Sequence, residues 1–209
     1  MKTLLLTSAG MQVKDEILKI LPKLANQTKL AHIITASKAE EDTSYVQKDS
    51  KAMEELGFQV TEVDIEGKTE ADLRETLKDF DAIYVQGGNT FDLLKAARES
   101  GFDKVVKELL ERGLIYIGVS AGSIIMGPTI EVATWKGVDR NTLGMTDFTA
   151  LNLVPFNTFV HYTEENRELI KQEVQKSRYP VRILTDDQAF LVQGNRVELV
   201  GKGEEVSLK

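Results

Sequence analysis

Short apolar runs alternate with longer stretches in which apolar residues recur at helical spacing, and this pattern continues over about the first 130 residues. Several of the short runs are apolar at almost every position, which is typical of strands buried on both faces of a parallel sheet. The alternation predicts successive βαβ units. The predicted strands are Thr3–Thr7, Leu30–Ala36, Phe58–Val63, Ala82–Gln86 and Leu114–Val119.

Helices are predicted between these strands, where charged residues lie opposite an apolar face. Gly57, Gly101 and Gly113 stand at the places where C-terminal caps belong. The predicted helices cover residues 11–25, 43–56, 70–79, 90–99 and 102–112.

The regular alternation weakens after residue 130. Residues 131–152 have mixed polarity and no clear period, so we predict a loop or a short strand there. An amphipathic helix follows at Thr163–Lys176, and Gly194-Asn195 fits a two-residue hairpin turn. The last predicted strands are Val181–Leu184, Ala189–Gln193 and Arg196–Val200. With no repeat or linker, the chain is predicted to be a single α/β domain over residues 1–209, with a mostly parallel sheet flanked by helices and a C-terminal β-hairpin.

Composition narrows the classes of function. With 42% hydrophobic and 28% charged residues, the chain has the composition of an ordinary soluble globular protein. Its 26 basic and 33 acidic residues give a net charge of −7 without a basic cluster, which argues against a nucleic-acid partner. The absence of cysteine excludes thiolate nucleophiles and cysteine metal sites. The first apolar run is too short for a secretory or spanning segment, so we expect a cytoplasmic protein without a membrane partner. No metal or organic cofactor is indicated.

The segment Gly118-Val119-Ser120-Ala121-Gly122 matches the G-x-S-x-G pattern between a predicted buried strand and a short apolar helical run. This strand–turn–helix context is that of a nucleophile elbow, in which the serine hydroxyl projects from a sharp turn. Ser120 is therefore the candidate nucleophile, with the amide of Ala121 facing a developing oxyanion. The alternative is a glycine-rich turn without catalysis.

A second glycine turn, Gln86-Gly87-Gly88-Asn89, follows another predicted strand. Open α/β sheets bind ligands at the carboxyl ends of their strands, so an amide from this turn could complete an oxyanion hole beside the elbow. The alternative is an ordinary turn in which Asn89 or Thr90 caps the next helix.

A serine nucleophile needs a base, and the chain has only two histidines. His32 lies inside a predicted buried strand and is interpreted as a core residue, whereas His161 precedes a predicted helix and is the better base. A carboxylate must then orient the imidazole. Four acids qualify by position alone: Asp139, Asp147, Asp186 and Asp187.

Three segments together carry a family resemblance: Gln86–Phe91, the elbow Gly118–Ser123 and Pro155–His161. In matching order and spacing they resemble peptidase E, the aspartyl dipeptidase family of serine peptidases, which is related to the cyanophycinases. The resemblance covers most of the chain. It implies a flavodoxin-like fold similar to that of class I glutamine amidotransferases.

The resemblance also implies roles for individual residues. It makes Ser120 the nucleophile and His161 the base, with the amides of Gly88 and Ala121 as the oxyanion hole. It favours Asp186 as the third member, because in related enzymes an acid lies in a short turn before a strand like Ala189–Val192. Another arrangement in the family uses an aspartate at the place that Trp135 occupies in this chain.

Asn89 and Arg167 are the candidate substrate-binding residues. Family members that remove N-terminal aspartate resemble one another in an arginine-rich helix after the histidine, but this chain keeps only Arg167 there. Arg167 can pair with a substrate carboxylate or can be a solvated helix charge. Strict aspartyl specificity is therefore not implied.

The resulting expectation is a serine-type peptidase that hydrolyses short peptides, including N-terminal Asp-X dipeptides, through an acyl-enzyme. Two alternatives stay open: a β-aspartyl or isopeptide hydrolase similar to cyanophycinase, and a non-catalytic small-molecule binding protein on the same scaffold. The sequence carries no signal for the oligomeric state or for a flap at residues 131–150.

Overall fold

A computed structural model of the chain describes residues 2–137 and 139–208. Its strands are β1 (Thr3–Thr7), β2 (Lys29–Ile33), β3 (Gln59–Val63), β4 (Ala82–Val85), β5 (Ile115–Val119), β6 (Asn157–Phe159), β7 (Val181–Ile183), β8 (Gln188–Gln193) and β9 (Arg196–Gly201). Seven of them form one sheet in the order β3-β2-β4-β5-β1-β8-β9. Strands β1 to β5 pair in parallel, and β8 and β9 add an antiparallel hairpin. The predicted α/β architecture and C-terminal hairpin are confirmed.

Helices cover both faces of this sheet. They are α1 (Lys14–Ile20), α2 (Ser44–Glu55), α3 (Glu70–Leu77), α4 (Thr90–Ser100), α5 (Phe102–Glu111), α6 (Ala121–Ile124) and α7 (Arg167–Lys176). Short 3-10 helices lie at Gly10–Val13, Ala25–Gln27, Thr35–Ala39, Glu131–Gly137 and Glu164–Asn166.

The central strands of the large sheet are buried on both faces, which explains their continuous apolar runs, whereas the edge strand β3 is mostly exposed. Leu4 and Leu6 of β1 belong to one core cluster, whereas Leu5 belongs to a second cluster with Val13 and Ile17. Successive side chains of a strand point to opposite faces, so both sets must be apolar. Each fully buried leucine contributes about 1.5–3 kcal/mol relative to an exposed one.

The first predicted helix, over residues 11–25, is wrong in its extent. Helix α1 ends at Ile20, and Leu21 is extended, with φ −66° and ψ 141°. Pro22 explains this end, because a proline disfavours helical geometry at the residue before it. Strand β2 likewise stops at Ile33, short of the predicted Ala36.

The stretch predicted as loop or short strand after residue 130 begins with the 3-10 helix Glu131–Gly137. Trp135 is buried there and stacks on Phe159, with ring centroids 6.0 Å apart. Val138 lies outside the described residues, and the stretch from Asp139 to Asn152 is irregular apart from an isolated bridge between Thr129 and Thr149.

A small second sheet was not expected from the sequence. Strand β6 pairs in parallel with β7, and both are three residues long. The predicted strand Val181–Leu184 is therefore confirmed in position, but it belongs to this second sheet rather than to the large one. Three residues are too few for a period to appear, which is why β6 escaped the pattern.

Candidate active site

The carboxyl ends of three neighbouring parallel strands meet at one edge of the large sheet. Register pairs Thr7 of β1 with Val119 of β5, and Val85 of β4 with Gly118 of β5. The residues that follow these strands are therefore close together: Ser8 after β1, the Gly87-Gly88 turn after β4, and Ser120 after β5. This edge is where open α/β sheets bind their ligands.

Ser120 occupies a sharp turn between β5 and α6. Its φ of 48° and ψ of −109° are strained for a residue with a side chain. The turn also brings main chains into close approach, since a Cβ at Gly118 would lie 2.6 Å from the Gly122 oxygen and a Cβ at Gly122 would lie 2.3 Å from the Val85 oxygen. The small residues of the G-x-S-x-G pattern are thus required by space, and the result is the geometry of a nucleophile elbow.

The structure brings Ser120, His161 and Asp186 into one hydrogen-bonded row. The Ser120 Oγ lies 3.1 Å from His161 Nε2, and His161 Nδ1 lies 2.7 Å from Asp186 Oδ1. The side chains of His161 and Asp186 are 41% and 47% exposed, so the pair opens onto solvent. Both distances are within hydrogen-bond reach of a nucleophile–base–acid arrangement.

The small second sheet is what places His161 beside Asp186. Its register pairs Phe159 with Ile183. Beyond the strands, Leu184 N donates to Phe159 O at 2.8 Å and Tyr162 N donates to Leu184 O at 3.1 Å. The two segments of the chain therefore leave the small sheet side by side, and His161 and Asp186 follow within three residues of its strands.

Ser8 is a site residue that sequence analysis missed. Its hydroxyl donates to Asp186 Oδ1 at 2.6 Å and accepts from the main-chain N–H of His161 at 2.8 Å. The same oxygen lies 3.2 Å from His161 Nδ1. Ser8 is fully buried. Its position could have indicated this role, because Ser8 directly follows β1, the strand that pairs with the strand leading into the elbow.

The contacts separate the four candidate acids. The hydrogen bond from His161, helped by the one from Ser8, holds the pKa of Asp186 below its ordinary value. Asp147 instead forms an ion pair with Arg98, and Asp187 forms one with Lys202.

Asp139 is close to the site without joining the row. It accepts a hydrogen bond from Thr90 N at 3.1 Å and lines the same cleft as Ser120 and His161. Burial raises the pKa of Asp139, and the hydrogen bonds from Thr90 together with the nearby imidazole only partly offset this.

Two free main-chain amides flank Ser120. Within residues 2–137 and 139–208, the amides of Gly88 and Ala121 donate to no acceptor. A Cβ on Gly87 would lie 3.1 Å from the Ser120 Cβ, so the two glycine turns face each other. Gly88 has a φ of 137°, and a Cβ there would lie 2.2 Å from the Ala36 oxygen, so only glycine fits.

The two candidate substrate-binding side chains are engaged elsewhere. Asn89 caps α4 by accepting from Phe91 N and Asp92 N, as in the alternative weighed for it. The guanidinium of Arg167 contacts Tyr162, Glu164 and the main-chain oxygen of Ser207. Neither residue lines the cleft around Ser120.

The cleft beside the row has a volume of about 700 Å³. Its charged lining is mostly acidic, with Glu40, Asp49 and Asp139 against Lys48. Asp49 is held by Tyr84, whose hydroxyl donates to Oδ2 at 2.7 Å.

His32 is buried behind this cleft wall, as predicted for a core residue. Its Nε2 pairs with Gln86 Oε1 at 2.8 Å, and burial lowers its pKa. In the described part of the chain, no group of three or more histidine and acidic side chains is arranged to hold a metal ion. None of the helices described there is both long and apolar enough to cross a membrane.

Comparison with known proteins agrees with this geometry. A family model described as "Peptidase family S51" matches residues 4–200. An uncharacterised peptidase of Listeria monocytogenes is 35% identical over 203 residues, covering 94% of this chain and 97% of the relative. Peptidase E of Salmonella newport is 29% identical over 213 residues, covering 99% of this chain and 89% of the relative.

Solved structures give the same result. The crystal structure of a candidate peptidase E from Listeria monocytogenes superimposes with a TM-score of 0.86 at 33% identity, covering 97% of this chain and all of that one. A peptidase from an acI-B1 Actinobacterium, at 14% identity and a TM-score of 0.68, shares the fold over 99% of this chain and 96% of that one. The chain therefore belongs to peptidase family S51 and is a serine-type peptidase.

Proposed function

We propose that Ser120, His161 and Asp186 hydrolyse a peptide bond through an acyl-enzyme. The observation that carries the proposal is the unbroken row from Ser120 Oγ through the imidazole to Asp186 Oδ1, beside two free amides. Ser120 attacks the scissile carbonyl while His161 Nε2 takes its proton, and the same imidazole then protonates the leaving amine. Water, deprotonated by His161, hydrolyses the ester and regenerates Ser120.

The amides of Gly88 and Ala121 supply the second part of the chemistry. During attack the carbonyl oxygen becomes an anion, and donors already fixed in place stabilise it without reorganising. Removing one such donor costs about 10²–10³ in kcat in related chemistry. The strained turn at Ser120 is consistent with this role, because it presents the hydroxyl and the next amide to the same point.

The substrate is proposed to be a short peptide. The cleft volume of about 700 Å³ falls in the range of small-molecule sites and suits a dipeptide-sized ligand. The mostly acidic lining of the cleft disfavours substrates with an N-terminal aspartate. Glu40, Asp49 and Asp139 oppose a substrate carboxylate, and Arg167 is engaged outside the cleft. We therefore propose that a neutral or basic residue is preferred over aspartate on the acyl side of the scissile bond.

The test compares wild type and Ser120→Ala on a panel of dipeptides with Asp, Glu, Asn, Ala or Lys at the first position, together with β-aspartyl dipeptides. Release of free amino acids is measured. Ser100→Ala serves as the control, because Ser100 is buried at the end of α4, its hydroxyl accepts from Phe102 N in the turn to α5, and it does not line the cleft. Hydrolysis by wild type and Ser100→Ala but not by Ser120→Ala is expected, with Ala-X or Lys-X faster than Asp-X.

Each other result has a definite meaning. Equal turnover by Ser120→Ala and wild type would refute the role of Ser120 as the nucleophile. Fastest cleavage of Asp-X would refute the charge argument and would leave the nucleophile intact. Cleavage confined to β-aspartyl linkages would favour the isopeptide hydrolase. Binding of dipeptides without turnover would favour a binding protein.

We also propose a cytoplasmic location, which rests on the resemblance to peptidase E. Fractionation of cells with an antibody against the chain tests it, and recovery in a secreted or membrane fraction would contradict it.

A further inference from the structure

Ser8 has no role in the proton transfers proposed above, yet it contacts both partners of Ser120. One hydroxyl group makes two bonds of opposite sense: it accepts from the main-chain N–H of His161 and donates to Asp186 Oδ1. The acceptor atom is the same carboxylate oxygen that faces His161 Nδ1. Ser8 thus links the main chain of the base to the side chain of the acid.

These two partners need such a link. The side chains of His161 and Asp186 are close to half exposed, so water competes for their polar atoms. The main chain of His161 has a φ of 56°, a conformation that a residue with a side chain adopts only when its surroundings hold it there. Ser8 is fully buried directly after β1, an interior strand of the large sheet, so its hydroxyl is a fixed point that can hold the partly exposed His161 and Asp186 in place.

The bonds also favour the tautomer that a base requires. Ser8 has one hydroxyl proton, and that proton goes to Asp186 Oδ1. If Nδ1 of His161 were unprotonated, two acceptors would face each other across 2.7 Å with no proton between them. Nδ1 therefore carries the proton, which leaves Nε2 free to accept from Ser120.

We propose that Ser8 is a positioning residue: its hydroxyl fixes the main chain of His161 and the carboxylate of Asp186 in the geometry that activates Ser120. The inference rests on the proposed function, since it assigns Ser8 to the service of that nucleophile and base. A merely structural serine would contribute to folding and leave the reactivity of Ser120 unchanged.

The test uses a fluorophosphonate probe, which reacts with an activated serine whatever the natural peptide is. The second-order rate of Ser120 labelling is measured from about pH 5 to pH 9 in wild type, Ser8→Ala and Ser100→Ala, with thermal unfolding recorded for each. Ser100 is the matched control, because it is also a buried serine whose hydroxyl accepts a main-chain N–H, from Phe102 at 3.3 Å.

We expect Ser8→Ala to label about tenfold to a hundredfold more slowly, since a hydrogen bond to a charged group is lost together with the anchor of the His161 main chain. Removing a donor from the carboxylate should also move the acid limb of the rate profile, which reports the coupled pair, to higher pH. Asp139, a further charged group near the imidazole, and Glu40, which lines the same cleft, are unchanged in both variants. Ser100→Ala should lose only stability.

Three outcomes overturn the inference or its basis. Labelling of Ser8→Ala within twofold of Ser100→Ala, or a slower rate with an unshifted profile, would make Ser8 purely structural. Wild type that labels no faster than Ser120→Ala would refute the proposed function itself. If Ser8→Ala does not fold, Ser8→Cys replaces it under the same criteria, because a thiol fills the space of the hydroxyl but is a weak donor.

Discussion

Asp186→Asn separates the charge of the third residue from its shape. An asparagine can face His161 with its oxygen or with its NH2 group, and only the oxygen preserves the tautomer that leaves Nε2 free. In this structure the choice is constrained, because Ser8 donates to the same Oδ1 that faces His161 Nδ1. A donor at that point selects the amide oxygen. We therefore expect Asp186→Asn to keep the tautomer of His161 that leaves Nε2 free, and to lose only the attraction between the carboxylate charge and the imidazolium.

The size of this attraction follows from the separation of the two charges and from the exposure of the two side chains. Two unit charges about 4 Å apart interact by about 1 kcal/mol in water and by about 4 kcal/mol at an effective dielectric constant of 20. The side chains of His161 and Asp186 are 41% and 47% exposed, so the interaction of the imidazolium with the carboxylate falls between these limits. A loss of about 2 kcal/mol corresponds to a rate about 30-fold lower.

The assay is kcat on the best dipeptide of the panel, with the fluorophosphonate labelling rate as a second measure. Asp187→Asn is the matched control, because Asp187 is the next residue, is equally exposed and pairs with Lys202 instead. Its kcat should stay within about twofold of wild type, since the row is untouched. A loss near 10⁴-fold in Asp186→Asn would show that the NH2 group faces the imidazole and would refute selection by Ser8. A loss below about threefold would show that Asp186 does not act on His161.

Three further predictions follow from local geometry and charge. Gly122→Ala places a Cβ 2.3 Å from a main-chain oxygen of β4, so urea denaturation should show an unfolding free energy lower by about 2–3 kcal/mol, whereas Gly67→Ala, with no atom within 4 Å, should lose only about 1 kcal/mol to its positive φ. Burial raises the pKa of Asp139, so the folded chain binds this proton more tightly than the unfolded chain, and stability falls as pH rises above the ordinary pKa of an aspartate. Asp139→Asn should therefore be more stable than wild type near pH 7 and equally stable near pH 3. Equal stability of the two proteins at both pH values would contradict the raised pKa of Asp139. Arg167→Ala should leave the KM for dipeptides within about twofold, because the guanidinium contacts the C-terminal segment rather than the cleft; a tenfold rise in KM would return Arg167 to the substrate site.

Much of the fold could be predicted because its signals are local. The central parallel strands are buried on both faces, so runs such as Leu4–Leu6 are apolar at every position. The elbow and the second glycine turn were also visible, because close main-chain approach leaves glycine as the only residue that fits at 118, 122 and 88. Gly118 meets a residue four positions away, whereas Gly88 and Gly122 meet Ala36 and Val85, which are distant in the sequence. The glycines themselves are still visible in the sequence, because each stands in or beside a short turn that follows an apolar run.

The remaining features depend on contacts between distant parts of the chain. Ser8 lies 153 residues from His161 and 178 residues from Asp186, and a single serine after a strand carries no motif. Arg167 had the right chemistry for a substrate carboxylate, but its partner Ser207 is 40 residues away and only the folded chain reveals it. The sequence alone could not distinguish the four candidate acids, and only their partners in the folded chain separate them: Asp139, Asp147, Asp186 and Asp187.

The division of the row between two sheets has a consequence for how activity is lost. Ser120 follows β5 of the seven-stranded sheet, whereas His161 follows β6 of the small sheet, and Asp186 lies in the turn from β7 of the small sheet to β8 of the large one. Proteins open locally in cooperative units, and a unit with so few ladder bonds opens at a lower free energy than the central sheet. In a urea titration, reactivity of Ser120 should therefore disappear before the circular dichroism signal of the α/β core changes. A peptide that bridges both units should delay the first transition and leave the second almost unmoved.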